Sequence, residues 1–271
     1  MSRSEQPVVI PEVLPPVRQP GRWSRHLPAR TAVQWLKQGW RDLNIDPGPS
    51  LAYGTLVFLA SLAIVGGLFL FGADYILFPA LAGFMVVGPI VAIGLYEKSR
   101  RIAAGERTSL LRMIFVRPES GPQILFTGVL LCLLMLLWMR AAVIVYALFF
   151  GLRPFPGLDH IAAMLFTTPT GWAMLLVGGG IGALFAAFSF AISALSIPML
   201  LEQRVDALTA MGTSVAVVGK NLPVMLTWGV IVLGLFILSL ATGLLGLIIV
   251  FPVLGHGTWH AYQALKPVVT A

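Results

Sequence analysis

Arg140 is the residue of this chain that most needs a chemical explanation, because it stands inside a long apolar run, 123–150. A guanidinium held in hydrocarbon costs at least roughly 2.5–3.5 kcal/mol on insertion scales, so it normally faces protein and has a partner. Two readings stand. In one, Arg140 points into a bundle and bonds to backbone carbonyls or to Asp74 or Asp159, the acids expected in the outer loops. It would then either close the 151–170 loop over the bundle or line a small anion path. In the other, its long stem lifts the charge to the headgroups.

His256 and His260 are the next candidates. Four residues apart on a helix, they share one face, and two neutral imidazoles at that spacing suit a metal ion. No third ligand is evident, and a haem pair would need intramembrane partners that His26 and His160 do not supply. The expectation is a structural role, with no metal and no other cofactor. Glu97 and Glu202 each follow a proline-bearing apolar run, Pro89 and Pro198 respectively, and complete the candidate polar set. Cys132 is the single cysteine, so neither an intrachain disulfide nor a cysteine metal cluster is available. Glycine-rich phosphate loops, His-Glu-x-x-His, paired intramembrane aspartates and a nucleophile elbow are all absent from the sequence. The expected protein is therefore not an enzyme, and no catalytic residue is assigned.

The elements that must hold these residues are apolar. Hydrophobic residues make up 58% of the 271 and charged residues only 11%, against about 25% charged in a soluble domain. Six segments, 51–71, 75–96, 123–150, 171–201, 222–241 and 244–265, each approach the about 20 residues that a helix needs to cross a hydrocarbon core. The fold class expected is all-α: a polytopic bundle of six transmembrane helices in three hairpins. Sixteen of the eighteen Lys and Arg residues fall before the first segment, in alternate loops, or after the last; the exceptions are Arg140 and Arg153. That bias places both termini in the cytoplasm. It also explains the net charge of +7 by anionic lipid rather than by nucleic acid. The first apolar run begins only at Leu51 and is too long for a signal core, so no cleaved signal peptide is expected.

Residues 1–30 carry Pro7, Pro11, Pro15, Pro16, Pro20 and Pro28 and read as a flexible cytoplasmic arm, with 31–271 forming one membrane domain. In 31–43, Val33, Leu36, Trp40 and Leu43 recur at helical spacing, with Lys37, Arg41 and Asp42 facing elsewhere. This predicts an amphipathic helix at the membrane interface, and the loops 99–115 and 204–220 show similar patterns. Gly178, Gly182 and Ala186, spaced by four, predict close helix packing on the fourth segment. Pro89, Pro198 and Pro252 on the three inward segments suggest a hairpin repeat, though proline is common in membrane helices in any case.

Several stretches in order carry a family resemblance. They are Trp35-Leu-Lys-Gln-Gly-Trp-Arg-Asp42, Val87-Gly-Pro89 with Tyr96-Glu97, Ser196-Ile-Pro198-Met-Leu-Leu-Glu202, and Phe251-Pro252 through His256, Trp259, His260 and Tyr262. Together they resemble the bacterial integral-membrane family known as domain of unknown function 2189, over about 30–265. The resemblance implies six helices in a bacterial inner (plasma) membrane and no established activity, so no functional residues transfer. Some members bear an oxidase-subunit-like label, which the histidine count here does not support. Three functions compete. The first is a non-enzymatic accessory, scaffold or assembly subunit, in contact with the lipid bilayer and with a membrane-protein partner or a second copy. The second is a small transporter or channel. The third is a redox or metal-binding subunit built on His256 and His260.

Overall fold

The computed structural model describes residues 23–151 and 158–266, and every regular element among them is helical. Five helices are long and apolar enough to cross a membrane: Pro47–Leu70, Leu77–Ala103, Gly121–Phe150, Pro169–Glu202 and Leu222–Ala241. The first is α2, the third α6 and the fifth α11 (α1, Thr31–Asn44, precedes them). The second is two helices in series, α3 (Leu77–Val91) and α4 (Ile93–Ala103). The fourth is likewise split, into α8 (Pro169–Ser193) and α9 (Ser196–Glu202). Between them lie α5 (Leu110–Ile114), α7 (Leu158–Thr167) and α10 (Ala207–Lys220). The last helix, α12 (Leu247–Leu265), begins three residues later than the sequence pattern suggests. It is not among the five, because its second half carries His256, Thr258, His260 and Gln263.

Each interrupted helix has a proline near its break and a hydroxyl from another helix that repairs it. Proline removes one backbone donor and crowds the preceding turn. After Pro89, the Leu95 amide turns to the Ala92 carbonyl at 2.9 Å, and the Val91 carbonyl accepts from Tyr53 Oη of α2 at 2.7 Å. Before Pro198, the Ser214 hydroxyl of α10 enters the ladder. It accepts from the Leu195 amide at 3.2 Å and donates to the Ala191 carbonyl at 2.7 Å. Those two backbone groups would pair directly in an unbroken helix, so Ser214 is a one-atom spacer between them. Both repairs matter in lipid, where water does not reach unsatisfied backbone groups.

The tightly packed part of the bundle is its basic end. There α1 lies along α12, its most extensive partner, and α12 also packs on α2 and α4. A side chain at Gly39 of α1 would collide with the backbone of Val253 and Gly257 on α12, so glycine is what lets the two backbones approach. Trp35 of α1 is buried edge-on against Trp228 of α11, ring centroids 6.0 Å apart. The buried face of α1 is Ala32, Trp35, Gly39, Asp42 and Leu43, while Val33 and Trp40 stay exposed beside Lys37 and Arg41. Of the face expected for the membrane surface, then, Val33 and Trp40 stay exposed, whereas Leu43 is buried and Leu36 packs partly against the core. On α10, Leu208 and Val215 are exposed, and Met211 and Val218 are buried.

Toward the other end the helices spread. Only 11–28% of the most apolar window of each of the five crossings is buried. Gly182 does sit in the α6–α8 contact predicted for it: an added Cβ would come within 3.0 Å of the Trp138 ring. The helix α7, in the stretch read from sequence as loop 151–170, was not expected. Most of the proline-rich arm, residues 1–22, and Arg153 lie outside the described residues. Residues 23–30 are strapped to the body: Asn221 accepts from the Arg25 amide at 2.9 Å and donates to the Trp23 carbonyl at 2.7 Å.

Candidate functional site: a buried polar chain between four helices

Three helices of the packed end, α1, α4 and α12, and the first turn of α2 bring polar side chains together out of reach of solvent. Ser50, Lys98, Ser99, His256 and Asp42 are each at most 5% exposed. Lys98 Nζ donates to the Asp46 carbonyl at 2.7 Å and to Ser50 Oγ at 2.8 Å. Ser50 Oγ lies 3.0 Å from His256 Nε2, and Ser99 Oγ lies 2.8 Å from His256 Nδ1. Ser99 Oγ donates to Asp42 Oδ2 at 2.6 Å, and His260 Nε2 meets the same oxygen at 2.8 Å.

These contacts fix the protons. Ser99 has one hydrogen, directed at Asp42, so it accepts from His256 Nδ1–H. Out of water and near the Lys98 ammonium the ring stays neutral, so His256 Nε2 has no proton and accepts from Ser50, whose own oxygen accepts from Lys98. His256 is the neutral Nδ1–H tautomer, and donation runs in one direction from Lys98 through Ser50, His256 and Ser99 to Asp42. Linked donors and acceptors polarise one another, which strengthens such a chain in a low-dielectric interior. Burial pushes the Asp42 carboxyl up, but the hydrogen bonds from His260 and Ser99 outweigh it. The carboxyl is held below its ordinary range.

Two carboxylates form separate clusters nearby. Glu97, 2% exposed, pairs within α4 with Arg100 at 2.7 Å and Arg101 at 2.6 Å. Glu202, at the end of α9, accepts from Tyr262 Oη at 2.7 Å, Gln263 Nε2 at 3.0 Å and Lys266 Nζ at 3.0 Å, all from α12 or just after it. Glu202 therefore staples α9 to the end of α12.

Of the residues singled out from sequence, His256 and His260 fall in the buried chain, and Glu97 and Glu202 at the same end of the molecule. Arg140 does not join them. It is exposed on α6, with no ion pair or hydrogen bond among the described residues, which differs from the inward-facing arrangement. The side chains of Asp74 and Asp159 lie outside the described residues. Asp42, Ser50, Lys98 and Ser99 were not singled out. Asp42 carries a usable signal: it stands three and seven residues after Gly39 and Trp35, an acid on the packed stripe of α1. Ser50 and Ser99 carry none, since an isolated serine reads the same buried or exposed. Among the described residues, no group of three or more His, Cys, Asp and Glu is arranged to hold a metal ion.

An all-helical body whose described residues include five apolar, membrane-capable helices defines an integral membrane protein, multi-pass and in contact with lipid. Residues 77–202 match the model of the family described as "Predicted integral membrane protein (DUF2189)". The matched stretch runs from the start of α3 to Glu202 at the end of α9, and so includes both interrupted helices. No curated protein and no solved structure matches the chain.

Proposed function

We propose that this protein is a non-enzymatic accessory or assembly subunit of the inner membrane, with six crossings and both ends in the cytoplasm. The observation that carries the reading is the sealed polar chain. Ser50, His256 and Ser99, residue types that do chemistry elsewhere, have their hydrogen-bonding groups taken up by one another and by Lys98 and Asp42. They are at most 1% exposed, which leaves a substrate no approach. Such a network builds a rigid plate at the basic end. The spread crossings above it offer apolar faces to a membrane partner or a second copy.

The sixth crossing in this reading is α12. Its polar second half is sheltered by α1, α2 and α4 rather than by lipid, which is how membrane helices carry polar groups. Reporter fusions at positions 74, 160 and 243 should read periplasmic, and those at 108, 212 and 271 cytoplasmic. A cytoplasmic signal at 160 overturns the topology. The accessory role is tested by isolating the protein in mild detergent and cross-linking it through single cysteines on the exposed faces of α6 and α11. A stoichiometric partner or self-contact at defined positions supports it.

One observation favours a small transporter as the second reading. The crossings α3–α4 and α8–α9 are both discontinuous, and α4 touches α9, a layout that transporters use for binding. Solute flux by the purified protein in liposomes, lost in Tyr53→Phe and Ser214→Ala, would replace the accessory role with this one.

A further inference from the structure

Between α3, α6 and α8 on one side and α11 and α12 on the other runs a cavity of about 430 Å³. Its wall extends along α8 from Gly179 to Ala194 and along α12 from Leu247 to Thr258, and it includes Ala92 and Ala194 beside the two helix breaks. None of the lining residues is charged, and Phe84, Phe185, Phe190, Phe236 and Phe251 supply much of the surface. Every lining residue stands on a membrane-capable helix, at a helix break or on α12, so what enters comes from hydrocarbon.

The dimensions decide what fits. At 1.5 Å per residue, the lining stretches of α12 and α8 make the trough roughly 16–22 Å long, parallel to the helices. Spread over that length, the volume gives a cross-section of roughly 20–27 Å² for atom centres, about 5 Å across and so roughly 8 Å from wall to wall, whereas a helix with its side chains is about 10–12 Å thick. A partner's helix is too thick; a single flexible hydrocarbon chain is not. The glycines agree with this. A Cβ added at Gly88 of α3 or Gly179 of α8, both in the wall, would meet no atom within 4 Å. Those glycines bring no helices together, although glycine weakens a helix relative to alanine. They leave the trough open.

We propose that this trough binds one acyl chain of a bilayer phospholipid, held lengthwise against the two helix breaks. The assignment stands apart from the accessory role and depends only on the crossings lying in a membrane.

The test is lipid retention. Wild-type protein washed extensively in detergent should keep about one phospholipid per chain, measured by extraction and mass spectrometry. Gly88→Leu and Gly179→Leu fill the trough from two helices of the same wall, α3 and α8, without backbone collision. Each should lower retention at least tenfold while leaving thermal unfolding in place. Equal retention in wild type and both variants overturns the proposal. So does an isoprenoid or other non-phospholipid molecule in its place, or a loss of oligomer on filling, which would mean a helix occupies the trough. A second measurement needs no variant. In vesicles of phosphatidylcholine brominated on the chain, tryptophan quenching should partly persist after dilution into unlabelled vesicles. Quenching that disappears entirely at the rate of bulk lipid exchange refutes a held chain.

Discussion

Asp42 and His260 lie 218 residues apart in sequence and 2.8 Å apart in space, and with Ser99 they pin the first helix of the body to the last. Asp42→Ala leaves the Ser99 hydroxyl and the His260 ring without their acceptor. A buried group so stranded costs about 1–3 kcal/mol. The expected outcome is a lower unfolding midpoint, with faster hydrogen exchange in α1 than elsewhere. A double-mutant cycle with His260→Ala should return a coupling of about 0.5–3 kcal/mol; zero coupling would show that the contact is incidental.

The same carboxylate gives a pH dependence with a definite sign. Its folded pKa is below the unfolded value. Its contribution is therefore complete above the unfolded pKa of about 3.9 and is lost as pH falls through the folded value. Asp42→Asn should flatten the stability profile in that acid window. A profile identical to wild type below pH 4 would rule Asp42 out as its source.

Gly39→Leu drives a side chain into the backbone of Val253 and Gly257. Neither obstacle rotates away, so α1 must lift from α12 and expose Trp35. The measurement is tryptophan emission, which should shift to the red as Trp35 leaves Trp228. An unshifted spectrum with normal stability would mean that the helices slide to accommodate the change.

Ser214→Ala and Tyr53→Phe each remove a hydroxyl that repairs a helix break. The first strands the Leu195 amide and the Ala191 carbonyl, the second only the Val91 carbonyl. The serine change should cost more, within about 1–3 kcal/mol per stranded group. The two effects should add, because the hydroxyls share no partner. A larger loss from Tyr53→Phe would reverse the assignment of Ser214 as a spacer.

The crossings were legible because hydropathy is written along the chain: five of the six apolar segments are membrane-capable helices in the structure. Pro89 and Pro198, read from sequence as signs of a hairpin repeat, stand near the breaks at Ala92 and Ala194, while Pro252 lies inside an unbroken α12; what repairs the breaks was not legible, since Tyr53 and Ser214 arrive from other helices. Periodicity found a helix at 31–43 and favoured its Val33–Leu36–Trp40 stripe. The face that docks is set by Gly39, whose value lies in having no side chain and which no hydrophobic scale rewards. His256 and His260 were noticed as a pair and weighed as metal ligands. Their hydroxyl and carboxylate partners come from α1, α2 and α4, and that convergence exists only after folding.

The length of α6 bears on what surrounds Arg140. A helix of 30 residues is roughly 45 Å long, about 15 Å more than the hydrocarbon core. Such excess is taken up by tilt or by protrusion. With Gly121 at one edge of the core and the axis upright, Arg140 stands roughly 28 Å along, close to the opposite edge. There phosphates and water receive a guanidinium on an exposed helix face. In that register Arg140 would act as a depth gauge that limits how far α6 can sink. Moving the arginine one turn toward Gly121 should shift the helix outward or tilt it less, an effect readable by lipid-depth quenching along α6.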